Sequence, residues 1–287
     1  MPELPEIETI VKDLKEALPE LVVKRVIVHG GYRPKASDLP STVGSSVSTV
    51  DRVGKTVHMV LDDTRRVVFH LAMTGRLLLR RAGDVPDPNQ RVSFIFSDGR
   101  QLRFTDIRMF GWVELFGEDR FREFSKRYGP DPFEITAEEF AERFLSKKVS
   151  VKNVLLDQSL VSGIGNIYAN DALWMAEIHP EAKTHKLSGE QLRKLHQAVL
   201  DILREGIEHR GSSIDTYVDA YGRAGKHQEH FRVYQKEGEK CARCGSVLRF
   251  KQLSGRGTFY CDNCQLLGLG KGDAVEEQIK GQETFGL

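Results

Sequence analysis

The chain has 287 residues, with 42 basic and 41 acidic side chains, 40% hydrophobic residues and a formal net charge of +1. That length suffices for two domains with separate cores, and the balance excludes disordered, fibrous and strongly polyanionic or polycationic classes. No stretch is long and apolar enough to span a membrane, and the acidic N-terminus lacks the apolar core of a secretory signal, so a cytoplasmic protein with reduced cysteines is expected.

Ile7, Ile10, Val11, Leu14 and Leu18 recur at helical spacing, and Pro5 suits a first turn, which predicts a helix over Pro5–Leu18. Short β-rich runs follow at Val22–Val28, Val47–Val50, Lys55–Leu61, Val67–Met73, Arg76–Leu79, Val92–Phe96, Gln101–Phe104 and Trp112–Phe116. Turn residues such as Ser97-Asp98-Gly99 separate them, as in an antiparallel sandwich or barrel. From Glu118 the pattern becomes helical, with capping boxes expected at Thr136/Glu139 and Ser188/Gln191. The break Gly129-Pro130-Asp131-Pro132 places a domain boundary near Tyr128–Phe133, and Ser212–His230 reads as a polar, flexible stretch.

All four cysteines lie in one pattern, C-x2-C-x16-C-x2-C, at Cys241, Cys244, Cys261 and Cys264. Two knuckles at this separation bring four thiolates around one Zn²⁺, and four sulfur ligands close its coordination sphere, so the ion is structural. Between the knuckles, Ser254-Gly255-Arg256-Gly257 reads as the tip of a β-hairpin. Cys241 to Tyr260 carries Arg243, Arg249, Lys251 and Arg256 and no acid, whereas the tail beyond Cys261 is acidic, so the near-zero net charge conceals a basic patch suited to phosphate.

The N-terminus reads Met1-Pro2-Glu3-Leu4-Pro5-Glu6. Without Met1, Pro2 would present a secondary amine whose attack on an aldehyde-like carbon gives an iminium, a cationic electron sink, with Glu3 beside it to move protons. A simpler reading competes: the prolines frame a helix start, and Glu3 and Glu6 complement its dipole.

With both ends in hand, the chain resembles the formamidopyrimidine-DNA glycosylase family, relatives of endonuclease VIII, from MPELPEIE through GRGTFYCDNCQ. The resemblance implies an α+β protein: an N-terminal antiparallel β-sandwich opened by a helix (1–130), a helical helix–two-turn–helix domain with a lesion loop (131–240), a zinc β-hairpin (241–265) and a tail (266–287). It implies that Pro2 is the nucleophile, Glu3 the general acid/base, Glu6 a supporting carboxylate, and Lys55 in RVGKTV a lysine for elimination and phosphate contact. Met73, Arg108 and Phe110 match residues that fill the gap left by an extruded base; without the family, Met73 and Phe110 read as core. Lys147, Asn166 (in SGIGN) and Arg256 match DNA contacts, with Lys148 and Lys152 nearby, and Tyr221 and Arg223 are possible lesion-loop contacts. The expected partner is double-stranded DNA containing oxidised or abasic sites, bound by a monomer with one structural zinc. Three alternatives stay open: an endonuclease VIII-like enzyme for oxidised pyrimidines, a catalytically silent protein that binds damaged DNA, and a zinc-stapled protein-interaction domain. Ile107, Met109 and Asn89 depart from the family pattern, the hairpin between Lys55 and Met73 is one residue longer, and the tail beyond Gln265 does not match.

Overall fold

The computed structural model describes residues 1–30 and 38–267; the acidic tail therefore lies almost wholly outside the described residues. The chain divides into two compact units, Met1–Gly129 with Leu203–His230, and Pro130–Ile202 with the described residues from Phe231 onward.

In the first unit, helix α1 (Leu4–Ala17) carries its apolar stripe inward: Ile7, Ile10, Leu14 and the following Leu18 are buried. Eight strands follow: β1 (Val23–Val28), β2 (Val47–Val53), β3 (Thr56–Leu61), β4 (Arg66–His70), β5 (Gly75–Arg80), β6 (Gln90–Phe96), β7 (Gln101–Asp106) and β8 (Trp112–Phe116). They form two antiparallel sheets, β1-β6-β7-β5 and β2-β3-β4-β8. The α1 stripe joins one core with inward residues of both sheets, among them Val57, Met59, Phe69, Phe94 and Phe104. Removing each such side chain from water contributes about 1.5–3 kcal/mol.

Strand β3 is buried along its whole length, not alternately. Its outer face lies under helix α2 (Glu118–Ser125), where Phe121 and Phe124 pack edge-on against the His58 ring at 5.1 and 6.3 Å. Phe116, Trp112 and Tyr128 complete this second apolar layer.

In the second unit, α3 (Ala137–Leu145) starts at a capping box: Glu139 N–H donates to Thr136 Oγ1 and Thr136 N–H to the Glu139 carboxylate. Helices α4 (Val151–Leu155) and α5 (Asn166–Met175) flank two tight turns. The Gln158 amide stitches those turns, donating to Leu156 O at 3.2 Å and Ile164 O at 2.8 Å, and accepting from Gly163 N–H at 2.9 Å. Gly163 has φ +87°, a conformation that costs a residue with a Cβ. Helix α6 (Gly189–Glu208) begins at the expected Ser188/Gln191 box. Strands β9 (Arg249–Leu253) and β10 (Arg256–Tyr260) form a hairpin, and Ser254 and Gly255, both at positive φ, make its two-residue turn. The fold is thus an N-terminal antiparallel sandwich, a helix–two-turn–helix region and a C-terminal zinc hairpin.

Candidate active site and zinc module

Pro2 and Glu3 are buried where the chain enters α1, and Met1 is exposed. Glu6 is the organiser. One carboxylate oxygen accepts the Glu3 N–H at 2.8 Å, and the other accepts the Ser212 N–H at 2.7 Å. The N-terminus and a segment more than two hundred residues away thus meet on one buried carboxylate. Tyr217 adds its hydroxyl, 3.3 Å from Glu6 O and 3.1 Å from Arg210 O. Burial, then the Glu6 charge, pushes the Tyr217 phenol well above its ordinary value, so it stays a neutral donor.

The segment after α6 is stitched throughout, which replaces the flexible stretch read from its polarity. Arg210 donates to both carboxylate oxygens of buried Asp13, at 2.8 and 2.7 Å, and to Asp219 at 2.5 Å. Asp219 also accepts the Tyr221 and Arg223 N–H groups at 2.9 and 2.8 Å and the Arg223 guanidinium at 2.8 Å. Burial alone would raise the Asp219 carboxyl; the hydrogen bonds from Arg223 and Arg210 outweigh it and leave it below its ordinary value. The exposed Tyr221 ring lies 4.9 Å from the Arg223 guanidinium carbon.

Lys55 sits in the tight turn between β2 and β3, not within a strand, and is half-buried. Burial lowers the nearby His70 pKa, and the Lys55 charge lowers it further. Met73 and Phe110 are exposed, 42% and 57%, and not in the core. Arg108 joins them: its guanidinium approaches Met73 Sδ at 3.5 Å and stands 4.7 Å over the Phe110 ring. Their loop is pinned by buried Asp106, whose carboxylate accepts the Thr74 hydroxyl, the Arg108 N–H at 3.2 Å and the Gly111 N–H at 2.8 Å. A Cβ at Gly111 would come within 2.7 Å of His70 O, so glycine is required where the loop rejoins β8.

In the second unit, Asn166 opens α5 and donates its amide to Gly257 O at 3.0 Å, beside exposed Arg256. Lys152 is fully buried, unlike the exposed Lys148: its ammonium donates to Gly257 O at 2.8 Å, Thr258 Oγ1 at 2.7 Å and Asn170 Oδ1 at 3.3 Å. It therefore faces the hairpin backbone. Lys147 is half-buried, and its carbonyl accepts the Thr184 hydroxyl at 2.5 Å. Asp171 is fully buried and caps the backbone leading to the hairpin, accepting the Arg232, Val233 and Tyr234 N–H groups at 2.9–3.1 Å. Burial nevertheless keeps its carboxyl above the ordinary value.

The sulfur atoms of Cys241, Cys244, Cys261 and Cys264 all lie within 4.8 Å of one another. Cys241–Cys264 is 3.8 Å and Cys244–Cys261 is 3.5 Å. A tetrahedron with Zn–S bonds of about 2.3 Å has edges of about 3.8 Å, so the four thiolates fit one structural zinc ion. Trp174 Nε1–H donates to Cys241 Sγ at 3.4 Å, and buried Gln265 ties the second knuckle, accepting the Cys261 N–H and donating to Ile178 O, both at 2.9 Å.

Three family descriptions match the chain in order: Formamidopyrimidine-DNA glycosylase N-terminal domain over residues 1–113, Formamidopyrimidine-DNA glycosylase H2TH domain over 128–218, and Zinc finger found in FPG and IleRS over 238–266. The chain belongs to the formamidopyrimidine-DNA glycosylase family. Curated formamidopyrimidine-DNA glycosylases from Herpetosiphon aurantiacus and Pelotomaculum thermopropionicum are 36% and 37% identical, covering 92% of this chain and 100% and 99% of theirs. Among solved structures, Lactococcus lactis Fpg in complex with abasic-site DNA matches with a TM-score of 0.83 and 33% identity, over 92% of this chain and 99% of that one. A structure of MutM in complex with carbocyclic 8-oxo-G DNA matches with a TM-score of 0.84 and 33% identity, over 92% and 100%. The protein is an enzyme of this repair family.

Of the departures from the family pattern, Asn89 has a local explanation. Asn89 has φ +58°, a left-handed conformation that asparagine tolerates, and its carbonyl accepts the Asp106 N–H. Ile107 and Met109 are exposed, 59% and 58%, on the loop that Asp106 anchors. Ser212, Tyr217, Asp219, Asp106 and the buried role of Lys152 escaped the sequence reading. Only Asp171 left a local signal there, as a lone acid within the apolar run NIYANDALWM.

Proposed function

We propose that the chain excises oxidised purines, 8-oxoguanine and formamidopyrimidines, from double-stranded DNA and then cleaves the strand by β,δ-elimination. In this reading, removal of exposed Met1 frees the Pro2 imino nitrogen. The nitrogen attacks C1′ of an extruded nucleotide, the C1′–base bond breaks, and the base leaves with a proton delivered by Glu3. The C1′–O4′ bond then opens as O4′ takes a proton, and the iminium so formed acidifies the C2′ proton; its removal expels the 3′ phosphate, and a second elimination expels the 5′ phosphate. Water hydrolyses the last iminium and releases Pro2. Lys55 assists the eliminations and contacts phosphate. Met73, Arg108 and Phe110 fill the vacated stack and hold the orphaned partner base. Lys147, Asn166 and Arg256 position the backbone, and Tyr221 and Arg223 meet the flipped base. The expected setting is the cytoplasm, on the nucleoid, as a monomer.

The observation that carries this reading is the Glu6 carboxylate, which fixes the Glu3 N–H and the Ser212 N–H at once. That arrangement leaves a short, oriented N-terminus beside the loop that would cover a lesion. Borohydride trapping on a panel of single-lesion duplexes tests it. The expected product is a covalent adduct with 8-oxoguanine and formamidopyrimidine DNA, located at Pro2 by mass spectrometry and formed more slowly by Pro2→Gly, which still binds lesion DNA. Full strand scission by protein that retains Met1 contradicts the assigned nucleophile; a preference for oxidised pyrimidines contradicts the assigned substrate.

A further inference from the structure

Three histidines converge where α6 ends, outside the residues assigned to excision. Glu205 and His209 are four apart along the helix and so share a face, with the His209 N–H donating to Glu205 O at 3.0 Å. His230 closes a short 3-10 turn, His227–His230. Two backbone bonds hold that turn against the helix end: the Lys226 N–H donates to His209 O at 2.8 Å, and the His227 N–H to Gly211 O at 3.0 Å. The His209 and His230 rings are in face contact, with centroids 3.7 Å apart and planes within 3°. One ligand atom from each of Glu205, His209 and His230 lies within 4.8 Å of the others.

We propose that Glu205, His209 and His230 form a second metal site, separate from the four cysteines, for a borderline divalent transition ion such as Zn²⁺. Two imidazoles and one carboxylate make a donor set suited to that class and unsuited to Mg²⁺ or Ca²⁺, which favour all-oxygen shells. Glu205 and His209 are half-buried and His230 is exposed, so the ion can enter from solvent and keep a water ligand. A nitrogen–metal distance of about 2.0–2.1 Å requires the two rings to turn out of parallel contact, a side-chain rotation that exposed His230 permits. Buried His227 supports the site: its Nδ1 lies 3.5 Å from His209 Nδ1. The tautomer in which His209 Nδ1–H donates to His227 leaves the His209 Nε2 lone pair for the ion. Because His209 and His230 bracket the segment that carries Ser212, Tyr217 and Asp219, a bound ion clips its two ends together.

The test is zinc stoichiometry on the full-length protein, by equilibrium dialysis against micromolar free Zn²⁺ with elemental analysis. The expected count is two ions per chain, falling to one in the His209→Gln/His230→Gln double variant, whose remaining zinc reports an intact cysteine module. Resistance of the 210–229 segment to proteolysis is expected to rise on the second uptake in the parent protein only. A parent chain that stops at one zinc, or a second zinc that persists in the double variant, overturns the site. Should the double variant lose both ions, the single variant at exposed His230 decides: one zinc supports the site, and two overturn it. Since the readout is metal content and not excision, the outcome stands apart from the proposed reaction.

Discussion

Replacing Glu6 with glutamine isolates what its two carboxylate oxygens do. The side chain is 1% exposed, and each oxygen accepts one backbone N–H, from Glu3 at 2.8 Å and Ser212 at 2.7 Å. Glutamine keeps the shape but offers one oxygen and one NH₂, so one N–H must face another donor. A buried donor left unsatisfied costs about 1–3 kcal/mol, and weakening the other bond from charged to neutral costs about 0.5–1.5 kcal/mol more. Loss of a negative charge at the α1 N-terminus adds about 0.3–1 kcal/mol. The opposing term is relief from desolvating a carboxylate, which in buried pairs can exceed the attraction. Here the acceptor set is matched to two amide donors, so the net expectation is a loss of about 2–4 kcal/mol. For a unit of roughly 150 residues, 3 kcal/mol lowers Tm by about 6–12 °C. Thermal unfolding followed by circular dichroism reads that shift, and borohydride trapping reads the predicted slower covalent capture. A Glu6→Gln protein with unchanged or raised Tm refutes the matched-acceptor argument, whatever its activity.

Burial lowers the pKa of His58 and of His70, with a hydrogen bond from the His58 ring to the Asp51 carboxylate only partly restoring His58. Neutral rings are therefore favoured in the fold, so their contribution is complete above the unfolded pKa near 6.5 and is lost as pH falls below it. Urea unfolding of the parent is expected to weaken from pH 7.5 to pH 5, and His58→Asn to flatten that slope; equal slopes contradict it. Chelation of the zinc, or Cys244→Ser, is expected to weaken DNA binding while the β-sandwich stays folded. In a Trp112→Phe background the same treatment changes Trp174 emission, because its indole N–H contacts Cys241 Sγ; zinc loss with unaltered emission contradicts that coupling. Met109→Arg is expected to leave stability within about 0.5 kcal/mol, since the side chain is exposed, yet to steepen the salt dependence of DNA binding by about one phosphate contact. Unchanged salt dependence would mean that this loop position does not meet the backbone.

What the sequence disclosed follows the range of each signal. The α1 stripe, the short β-rich runs and the two capping boxes are encoded within a few residues, and all reappear with edges shifted by a residue or a few. The cysteine spacing is equally local, because the metal itself dictates it. Most of what the sequence hides involves a partner distant along the chain. Met73 and Phe110 look like core residues until the Asp106 carboxylate, which bonds Thr74 and the Arg108 and Gly111 amides, turns their loops outward. Lys152 lies close to Lys147 and Lys148 in sequence, but α4 begins at Val151 and the Lys152 ammonium meets Gly257 O, 105 residues on. Ser212–His230 looks flexible because its residues are polar, yet Glu6, Arg76 and Arg210, all outside it, bond Ser212 N–H, Thr216 O and the Asp219 carboxylate. A buried carboxylate that accepts several backbone N–H groups recurs at Glu6, Asp106, Asp171 and Asp219. Each fixes a segment that lacks regular structure by satisfying amides that neither helix nor sheet can reach. The irregular segments proposed to meet the nucleic acid are thus shaped by buried acids, which is why sequence motifs mark the tips of these loops and not what holds them.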